Sequence, residues 1–336
     1  MGKKIGKQTV LLSKPVGILD VASIASKKEG DGPLGQFFDR VEDDLLHSKK
    51  TWEEAESAFA IEAMQTLCQK TKIPLDSYDF IIAGDLLNQN MGSVYSVRGS
   101  NAPYIGVFSA CAAIGEAMGL GSMLIDGGFA NNILTLASSH FCAAEKQFRF
   151  PLEMGSQRPQ TASWTTKGAA AISLCQTPKA INITSATMGK IVDLGIKDAN
   201  NMGAAMAPAA ADTIITHLSD SLKEADYYDI ILTGDLGHIG SEILIELCNK
   251  EGINIRDRHK DCGIDIFDRR SQDTHNGGSG PACSAMVFAA YYYNEMKKGN
   301  INRLLFIPTG ALMSPTSLQQ GESIAGVAYA ICIERS

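Results

Sequence analysis

Several features that would point to a metalloprotein, a secreted protein or a membrane protein are missing from this chain of 336 residues. None of its eight cysteines stands in a CxxC pair or in a Cys/His cluster at ligand spacing, which argues against a structural zinc site. The opening residues, MGKKIGKQTV, contain no apolar run of the kind that a secretory signal needs. The most apolar stretch, residues 104–128, carries Glu116 and Asp126 and several glycines, so we expect no membrane span. We therefore expect a protein that is soluble by itself and keeps its thiols reduced.

Positive charge is also in deficit. The chain has 30 Lys and Arg against 37 Asp and Glu, a net charge of −7. Because nucleic acids and anionic bilayers attract basic proteins, neither is expected as a direct partner. Any association with a membrane should then need a protein intermediary.

The sequence contains an internal repeat. Residues 78–86 read YDFIIAGDL and residues 228–236 read YDIILTGDL, so six of nine positions are identical at an offset of 150. Each stretch follows an amphipathic helix pattern, at 51–70 and at 207–222, and is itself a β-rich run closed by Gly-Asp. The sequence therefore predicts helix, strand and turn twice over.

The repeat continues beyond these turns. A helix of small residues begins at Cys111 and another at Cys283, and each leads through a Gly-containing segment into an apolar strand. We predict two α/β halves, residues 1–178 and 179–336, with the Ala- and Gly-rich helices between two mixed sheets. Asp85 and Asp235 stand at equivalent points of the repeat, which favours an Asx-type turn at each strand end over a catalytic pair.

The whole pattern resembles the thiolase and ketoacyl synthase superfamily, in which two βαβαβαββ halves stack as five αβαβα layers. Ser109, Ala110 and Cys111 stand where that superfamily carries its nucleophilic cysteine, and the closing GVAYAICIERS is similar to its last strand. The resemblance implies a thiolase-like α/β fold. It also implies an alternative function, a cysteine-dependent acyltransferase or condensing enzyme.

Within the superfamily the chain most resembles the stage V sporulation protein AD family, the soluble members of a spore-membrane channel complex. The segments that carry this likeness include AGDLLNQN (83–90), AEKQFRFPLEMGSQRP (144–159), DLGIKDANNMGAAMAPAAADTI (193–214) and TGALMSPTSLQQGESI (309–324). The resemblance implies binding of dipicolinic acid, pyridine-2,6-dicarboxylate, alone or as its calcium chelate. It further implies a role in dipicolinate uptake and release at the spore inner membrane, membrane-embedded partner proteins of the same complex, and a homodimer.

The groups that would complete an acyltransferase are not visible in the sequence. Thiolases carry a Gly-His-Pro turn and a second cysteine in the second half, whereas residues 276–281 here read NGGSGP and residues 308–310 read PTG. The slot that holds a histidine in ketoacyl synthases falls at position 234 or 235, and His238 and His275 lie nearby but outside it. We therefore expect a binding protein with no catalytic residues, no cofactor and no resident metal.

Cys111 allows more than one interpretation, because a helix start favours a thiolate whereas a cysteine among small apolar residues is often an inert filler. A third possibility is that the former nucleophile pocket persists as an anion-binding cleft. A planar dianion needs donors toward each carboxylate, and arginine can grip a carboxylate with two hydrogen bonds. The residues predicted at the ligand site are Cys111, His140, Arg149, Arg158, Asn88, Asn90 and Ser279.

Two alternatives to this site prediction stay open. The charged segment 138–168 carries both signs, so it could be a solvated loop and not a binding loop. A scaffold that has lost its ligand and keeps only an interaction surface would show the same sequence features.

Overall fold

The computed structural model describes residues 2–148 and 157–336. The strands of the first half are β1 (Lys3–Ile5), β2 (Thr9–Ser26), β3 (Arg40–Glu42), β4 (Phe80–Gly84), β5 (Tyr104–Gly106), β6 (Asn132–Ser139), β7 (Trp164–Thr165) and β8 (Gly168–Cys175). Its helices are α1 (Lys27–Gly30), α2 (Trp52–Thr71), α3 (Met91–Val97), α4 (Ala113–Asp126) and α5 (Phe141–Phe148).

The second half follows after β8. Its strands are β9 (Ile181–Met188), β10 (Ile230–Thr233), β11 (His259–Asp261), β12 (Gly278–Ser279), β13 (Arg303–Ile307), β14 (Thr309–Leu312) and β15 (Ala325–Arg335). Its helices are α6 (Met202–Ser221), α7 (Gly237–Lys250), α8 (Cys262–Asp265), α9 (Pro281–Val287), α10 (Tyr293–Lys298) and α11 (Pro315–Gln319), with a π-helical turn over Phe288–Tyr292 joining α9 to α10.

The sheet topology confirms the predicted duplication. The strand order is β5-β4-β6-β8-β2 in the first half and β11-β10-β13-β15-β9 in the second. In each half the first three strands of this order are parallel and the last two pair antiparallel to their neighbours. The two halves therefore share one topology, and residue 178 lies in the connection between β8 and β9. The exact boundary at that residue stays a prediction.

One long strand joins the two half-sheets. The first part of β2 pairs with β9 of the second half, and its last part pairs with β8 of the first. A register shift between Leu11 and Val16 marks the bend in its pairing with β9. Because β2 belongs to both sheets, the halves share a continuous hydrogen-bonded backbone.

The Gly-rich helix α4 lies between the half-sheets, as predicted. A Cβ atom at Gly119 would lie 3.0 Å from the Met188 sulfur of the second sheet, whereas one at Gly121 would lie 3.1 Å from Leu174 of the first. Side chains larger than hydrogen would push the sheets apart, which explains why this helix is built from small residues. The large central core surrounds α4, α9 and α10, and separate apolar clusters lie beneath α2 and beneath α6 and α7 on the outer faces. The layers are thus helix, sheet, helix, sheet, helix.

The predicted outer helices are found close to their expected bounds. The helix predicted at 51–70 is α2, which Thr51 caps by accepting a hydrogen bond from the Glu54 N–H at 3.2 Å. The helix predicted at 207–222 is α6, which begins earlier, after the Asn201 cap. Pro208 therefore lies inside this helix and not at its start. Among residues 2–148 and 157–336, no helix is both long enough and apolar enough to cross a bilayer.

Candidate functional site

A cavity of about 340 Å³ opens where the segments after β4, β5 and β6 meet loops of the second half. Its first-half wall comes from residues 85–90, from the turn that holds Cys111 and from α5. Its second-half wall comes from the start of α6, from Ser279 and from β14 and α11. Sites formed by the carboxyl ends of strands are typical of α/β folds, and this volume lies in the range of small-molecule pockets.

Cys111 lies on the floor of this cavity, as the sequence predicted for the persisting cleft. It stands in a 3₁₀ turn, Ala110–Ala112, that leads directly into α4, and it is 5% exposed. Ala110 adopts a left-handed conformation with φ of 51°. Such a conformation is costly for a residue with a side chain, so the packing around the turn must hold it in place.

Strand β14 provides much of that packing. A Cβ atom at Gly310 would lie only 2.2 Å from the carbonyl oxygen of Ser109, so only glycine allows β14 to approach the cysteine turn this closely. Pro308 packs against Gly115 one helical turn further on. The PTG segment thus stands beside Cys111, but it contributes no titratable group there.

Two residues of the second half form a polar chain behind the cysteine. The Cys111 sulfur lies 3.9 Å from the Ser279 hydroxyl oxygen, and the Ser279 hydroxyl donates a hydrogen bond of 2.8 Å to Asp235. Asp235 also accepts hydrogen bonds from the Gly280 N–H at 3.0 Å and from the Thr309 hydroxyl at 2.8 Å. The carboxylate therefore ties the end of β10 to β14 and to the glycine-rich turn.

The charge state of Cys111 follows from these neighbours. Burial, and then the nearby Asp235 carboxylate, raise the pKa of the Cys111 thiol well above its ordinary value. Burial raises the pKa of Asp235 as well, while hydrogen bonds from the side chains of Cys111, Thr309 and Ser279 and from the Gly280 N–H oppose that rise. In this environment Cys111 is a thiol at neutral pH, which is the opposite of what an isolated helix start would favour.

A second buried acid supports Asp235. Asp261 accepts hydrogen bonds from the Leu236 and Gly237 N–H groups, at 2.9 and 3.0 Å, and from the Thr233 hydroxyl at 2.7 Å. Burial, with a smaller contribution from Asp235, raises the pKa of Asp261 to about 7. This acid closes the turn into α7 and does not line the cavity.

Asp85 and Asp235, the aspartates at equivalent points of the repeat, make different hydrogen bonds. Asp85 accepts hydrogen bonds from the Leu87 N–H at 2.8 Å and the Ser93 N–H at 2.7 Å, which is the Asx-type turn that the sequence predicted. Asp235 makes no such bond to the residues after it, because Asp261 already takes those N–H groups. The expected Asx turn at Asp235 was thus wrong, although its structural character was right.

Asn88 and Asn90, predicted from their place after the Gly-Asp turn, both line the cavity. The Asn90 side chain is buried and donates a 2.9 Å hydrogen bond to the Val107 carbonyl, so its amide already has a partner. Asn88 is exposed, so its amide can reach a ligand. Of the predicted ligand residues, the structure brings together Cys111, Ser279 and these two asparagines.

The remaining predicted residues lie elsewhere. His140 is 1% exposed and directly precedes α5, and its Nε2 lies 3.2 Å from the Leu45 carbonyl oxygen; burial lowers its pKa to about 4. Arg158 donates to the Asp273 carbonyl at 3.2 Å and lies over the Trp164 ring. Neither is among the described residues that line the cavity, and Arg149 lies outside the described residues.

The two candidate histidines are also away from the cavity lining that the structure describes. His238 lies on α7, where burial and then Arg269 lower its pKa. His275 Nδ1 lies 2.8 Å from the Pro159 carbonyl oxygen, and its Nε2 lies 2.9 Å from Asp273. The geometry thus places no imidazole of the described chain beside Cys111.

The sequence also left the apolar walls of the cavity unidentified. They are formed by Leu87, Phe108, Phe148, Met202 and Met313. The last two come from the second half and meet the first only through the tertiary fold. No local pattern distinguishes such wall residues from ordinary core residues.

Comparisons with known proteins agree with this architecture. A crystal structure of OleA from Xanthomonas campestris superposes with a TM-score of 0.62, over 96% of this chain and 99% of that one, at 14% identity. OleA from the same organism with bound cerulenin gives a TM-score of 0.61, over 95% of this chain and all of the other. At such low identity these likenesses establish the thiolase-like fold and nothing finer.

The sequence comparisons are more specific. Stage V sporulation protein AD of Bacillus subtilis (strain 168) is 43% identical over 334 residues, which covers 99% of this chain and 98% of the relative. The sequence model of the stage V sporulation protein AD (SpoVAD) family matches residues 6–334. The chain therefore belongs to the stage V sporulation protein AD family.

Proposed function

We propose that this sporulation protein binds dipicolinic acid in the Cys111 cavity and catalyses no reaction there. Family membership supports the sporulation role, and the likeness of the sequence to that family suggested the ligand. The observation that carries the proposal is the cavity itself: the pocket at the superfamily's nucleophile position is open, but the cysteine in it faces Ser279 and Asp235. Such a site can hold a small molecule without attacking it.

The walls suit a flat aromatic ring with polar edges. Phe108, Phe148 and Met202 offer apolar surface, while Asn88 and Ser163 are neutral polar groups at the lining. A pyridine ring could pack against the apolar walls while its carboxylates meet amide and hydroxyl donors.

The charge of the cavity lining restricts the form of the ligand that can bind. Among the described residues of the lining there is no lysine, arginine or histidine, and Asp85 and Glu145 are acidic. A free dianion would be repelled by these acids unless they are neutralised or a cation accompanies it. We therefore expect calcium to strengthen binding, with the metal entering together with the ligand.

Among the described residues that line the cavity with Cys111 there is no imidazole or ammonium group, which supports a non-catalytic role. Acyl transfer needs a base to activate the thiol and a donor for the developing oxyanion. The side chains described next to the sulfur are Ser279, which gives its proton to Asp235, and Asp235, which opposes thiolate formation. This arrangement favours binding over acylation.

Calorimetric titration with dipicolinate, with and without calcium, tests the proposal. Ala199 is half-buried in a turn at the cavity wall, so Ala199→Trp should fill the pocket, whereas Ala180→Trp places the same side chain on an exposed bend. We expect saturable binding in the wild type and in the Ala180 variant, and a loss of at least about tenfold in affinity in the Ala199 variant.

Four further outcomes decide the details. No saturable heat in the wild type would remove dipicolinate as the ligand, and equal binding by both tryptophan variants would remove this cavity as its site. Cys111→Ala should still bind, because the proposal gives the thiol no covalent role. Arg149, which directly follows Phe148 in the chain, is also a predicted ligand residue. Weaker binding by Arg149→Ala would support that prediction, and unchanged binding would contradict it.

We also propose a homodimer and membrane-embedded partners, as the superfamily and family likenesses imply. Strand β5 is the outer strand of the first half-sheet, and Phe108, just after it, is 67% exposed. Phe108→Asp should therefore shift the protein from dimer to monomer in sedimentation experiments. Phe129→Asp changes an equally exposed phenylalanine (74%) beyond α4 and should have no effect.

The role in uptake and release at the spore inner membrane depends on those partners. Since no described helix can span a bilayer, attachment should require the membrane proteins of the same complex. Fractionation of sporulating cells tests this: the protein should sediment with membranes when the partners are made and stay in the supernatant when they are deleted. Sedimentation without them would contradict the proposal.

A further inference from the structure

Asp235 is a buried carboxylate that binding of a ligand does not require. It is 1% exposed and stands behind Ser279, which itself lines the cavity. Ser279, Gly280 and Thr309 each donate a hydrogen bond to the carboxylate, in addition to the Cys111 thiol. Donors of this kind favour the ionised form of an acid.

This charge stands close to the Cys111 sulfur. The sulfur lies 3.9 Å from the Ser279 oxygen, which lies 2.8 Å from Asp235, so sulfur and carboxylate are at most about 7 Å apart. Between two groups this close and this well shielded from water, like charges repel strongly. Formation of a thiolate at Cys111 is therefore opposed by Asp235 as well as by burial.

Hydrogen bonds to Cys111 from Ser279 and from the Gly280 N–H favour a thiolate, but they do not outweigh this effect. The N–H groups at the start of α4 favour a thiolate, but they carry only partial charge. Asp261, whose pKa burial raises to about 7, adds only part of a negative charge behind Asp235 near neutral pH, and the Cys283 thiol nearby is neutral, since burial raises its pKa well above the ordinary value. No lysine, arginine or histidine is among the described residues of the cavity wall.

We propose that Asp235 is a positioning residue that keeps Cys111 an uncharged thiol, and so fits the cavity for reversible binding of an anion. A thiolate would repel a carboxylate ligand and attack electrophiles, whereas a thiol does neither. The choice of an anionic ligand rests on the proposed function. The effect of Asp235 on the thiol stands apart from it.

The pH dependence of alkylation of Cys111 by iodoacetamide tests this proposal. Because only the thiolate reacts, the midpoint of the rate profile reports the thiol pKa. The extent of reaction at Cys111 is followed by mass spectrometry of its peptide in the wild type, Asp235→Asn and Asp31→Asn. Asp31 is the control, because it is an exposed acid that pairs with Lys27 at 3.4 Å and lies outside the described cavity lining.

We expect the wild-type midpoint to lie above the ordinary thiol value of about 8.5, and Asp235→Asn to lower it by about one unit or more. Near neutral pH the Asp235 variant should then react about tenfold faster, while Asp31→Asn follows the wild type. The half-buried Cys68 and Cys142 serve as internal references whose rates should not change.

Three results would overturn the proposal. A wild-type midpoint at or below about 8.5 does so without any variant. An Asp235→Asn midpoint equal to that of the wild type does so too. A uniform rise in rate at every pH, with the same rise at Cys142 and no shift of the midpoint, does so as well, because the variant would then have opened the fold without changing the thiol pKa. The calorimetric titration with dipicolinate tests the ligand separately from this role of Asp235. If the alkylation midpoint shifts in Asp235→Asn but dipicolinate does not bind, the ligand is wrong and the role of Asp235 stands.

Discussion

Replacing Tyr228 by phenylalanine should destabilise the protein by about 2 kcal/mol, because it removes one buried hydrogen-bond donor and almost no volume. Tyr228 is fully buried, and its hydroxyl oxygen lies 2.5 Å from Nε2 of His217, which is also fully buried. Without the hydroxyl, the lone pair on Nε2 has no donor in a site that excludes water. Leaving such a group unpaired costs about 1–3 kcal/mol.

Asp220 sets which group donates in the hydrogen bond between Tyr228 and His217, although it is hydrogen-bonded to neither of them. The Thr9 hydroxyl donates its only proton to Asp220 at 3.0 Å, so at the 2.8 Å contact Thr187 must donate to Thr9. The Thr187 proton is then used, and at the 2.7 Å contact His217 Nδ1 must donate to Thr187. A neutral imidazole with its proton on Nδ1 accepts at Nε2, where Tyr228 donates. Asp220 thereby fixes the tautomer of a histidine that it does not touch.

Equilibrium unfolding in urea measures the predicted loss, and nitrogen-15 NMR of the imidazole checks the tautomer. Tyr227→Phe is the control, because that hydroxyl bonds to Glu334 at 2.8 Å in a half-buried place and should be worth about 1 kcal/mol or less. A Tyr228→Phe protein within about 0.5 kcal/mol of the wild type would refute the argument. So would an imidazole protonated on Nε2.

The same histidine predicts a loss of stability in acid. Burial lowers the pKa of His217 to about 3 in the folded state, against about 6.5 when unfolded. Between these values the unfolded chain takes up the proton first, so stability is intact above pH 6.5 and falls as the pH drops toward 3. His217→Gln should reduce the pH dependence of the urea midpoint between pH 7 and 5; His140 and His259, whose pKa values burial lowers to about 4, should retain the rest.

Two further predictions concern single local features. Gly310→Ala would set a Cβ atom 2.2 Å from the Ser109 carbonyl oxygen, so it should displace the Cys111 turn and abolish ligand binding in calorimetry, while Gly99→Ala, in an exposed turn with open space around it, should keep binding. Thr51→Ala removes the cap of α2 and should cost about 1 kcal/mol in urea unfolding, with Thr51→Ser, which keeps the cap, close to the wild type.

Much of the fold could be predicted because it is written in local patterns. The repeat at 78–86 and 228–236 marked two strands with the same surroundings, and these are β4 and β10. The small residues of α4 predicted a helix between two sheets, since a helix with little side-chain volume gains nothing from an outer position. Cys111 was predicted at the start of that helix because the run of small residues begins there.

The site was predicted only where it depends on strand ends. Asn88 and Asn90 follow the end of β4, and the carboxyl ends of strands meet at one edge of a sheet, so these residues were found at the cavity. His140 also follows a strand end, but it directly precedes a helix and turns its ring to Leu45. Arg158 looked equally suitable from its charge, and its guanidinium lies over Trp164 instead. Residue type predicts which chemistry a side chain offers, but not the direction in which a loop points it.

The sequence by itself determined the duplicated α/β topology, the family and the presence of a cysteine at a helix start, because each rests on residues close together in the chain. The tertiary structure alone decided what that cysteine can do. Ser279 and Asp235 reach Cys111 from more than a hundred residues away, and only the stacking of the two halves sets their distances and excludes water. The charge state of the thiol depends on these distances and on the local dielectric constant, and no local sequence pattern specifies either of them.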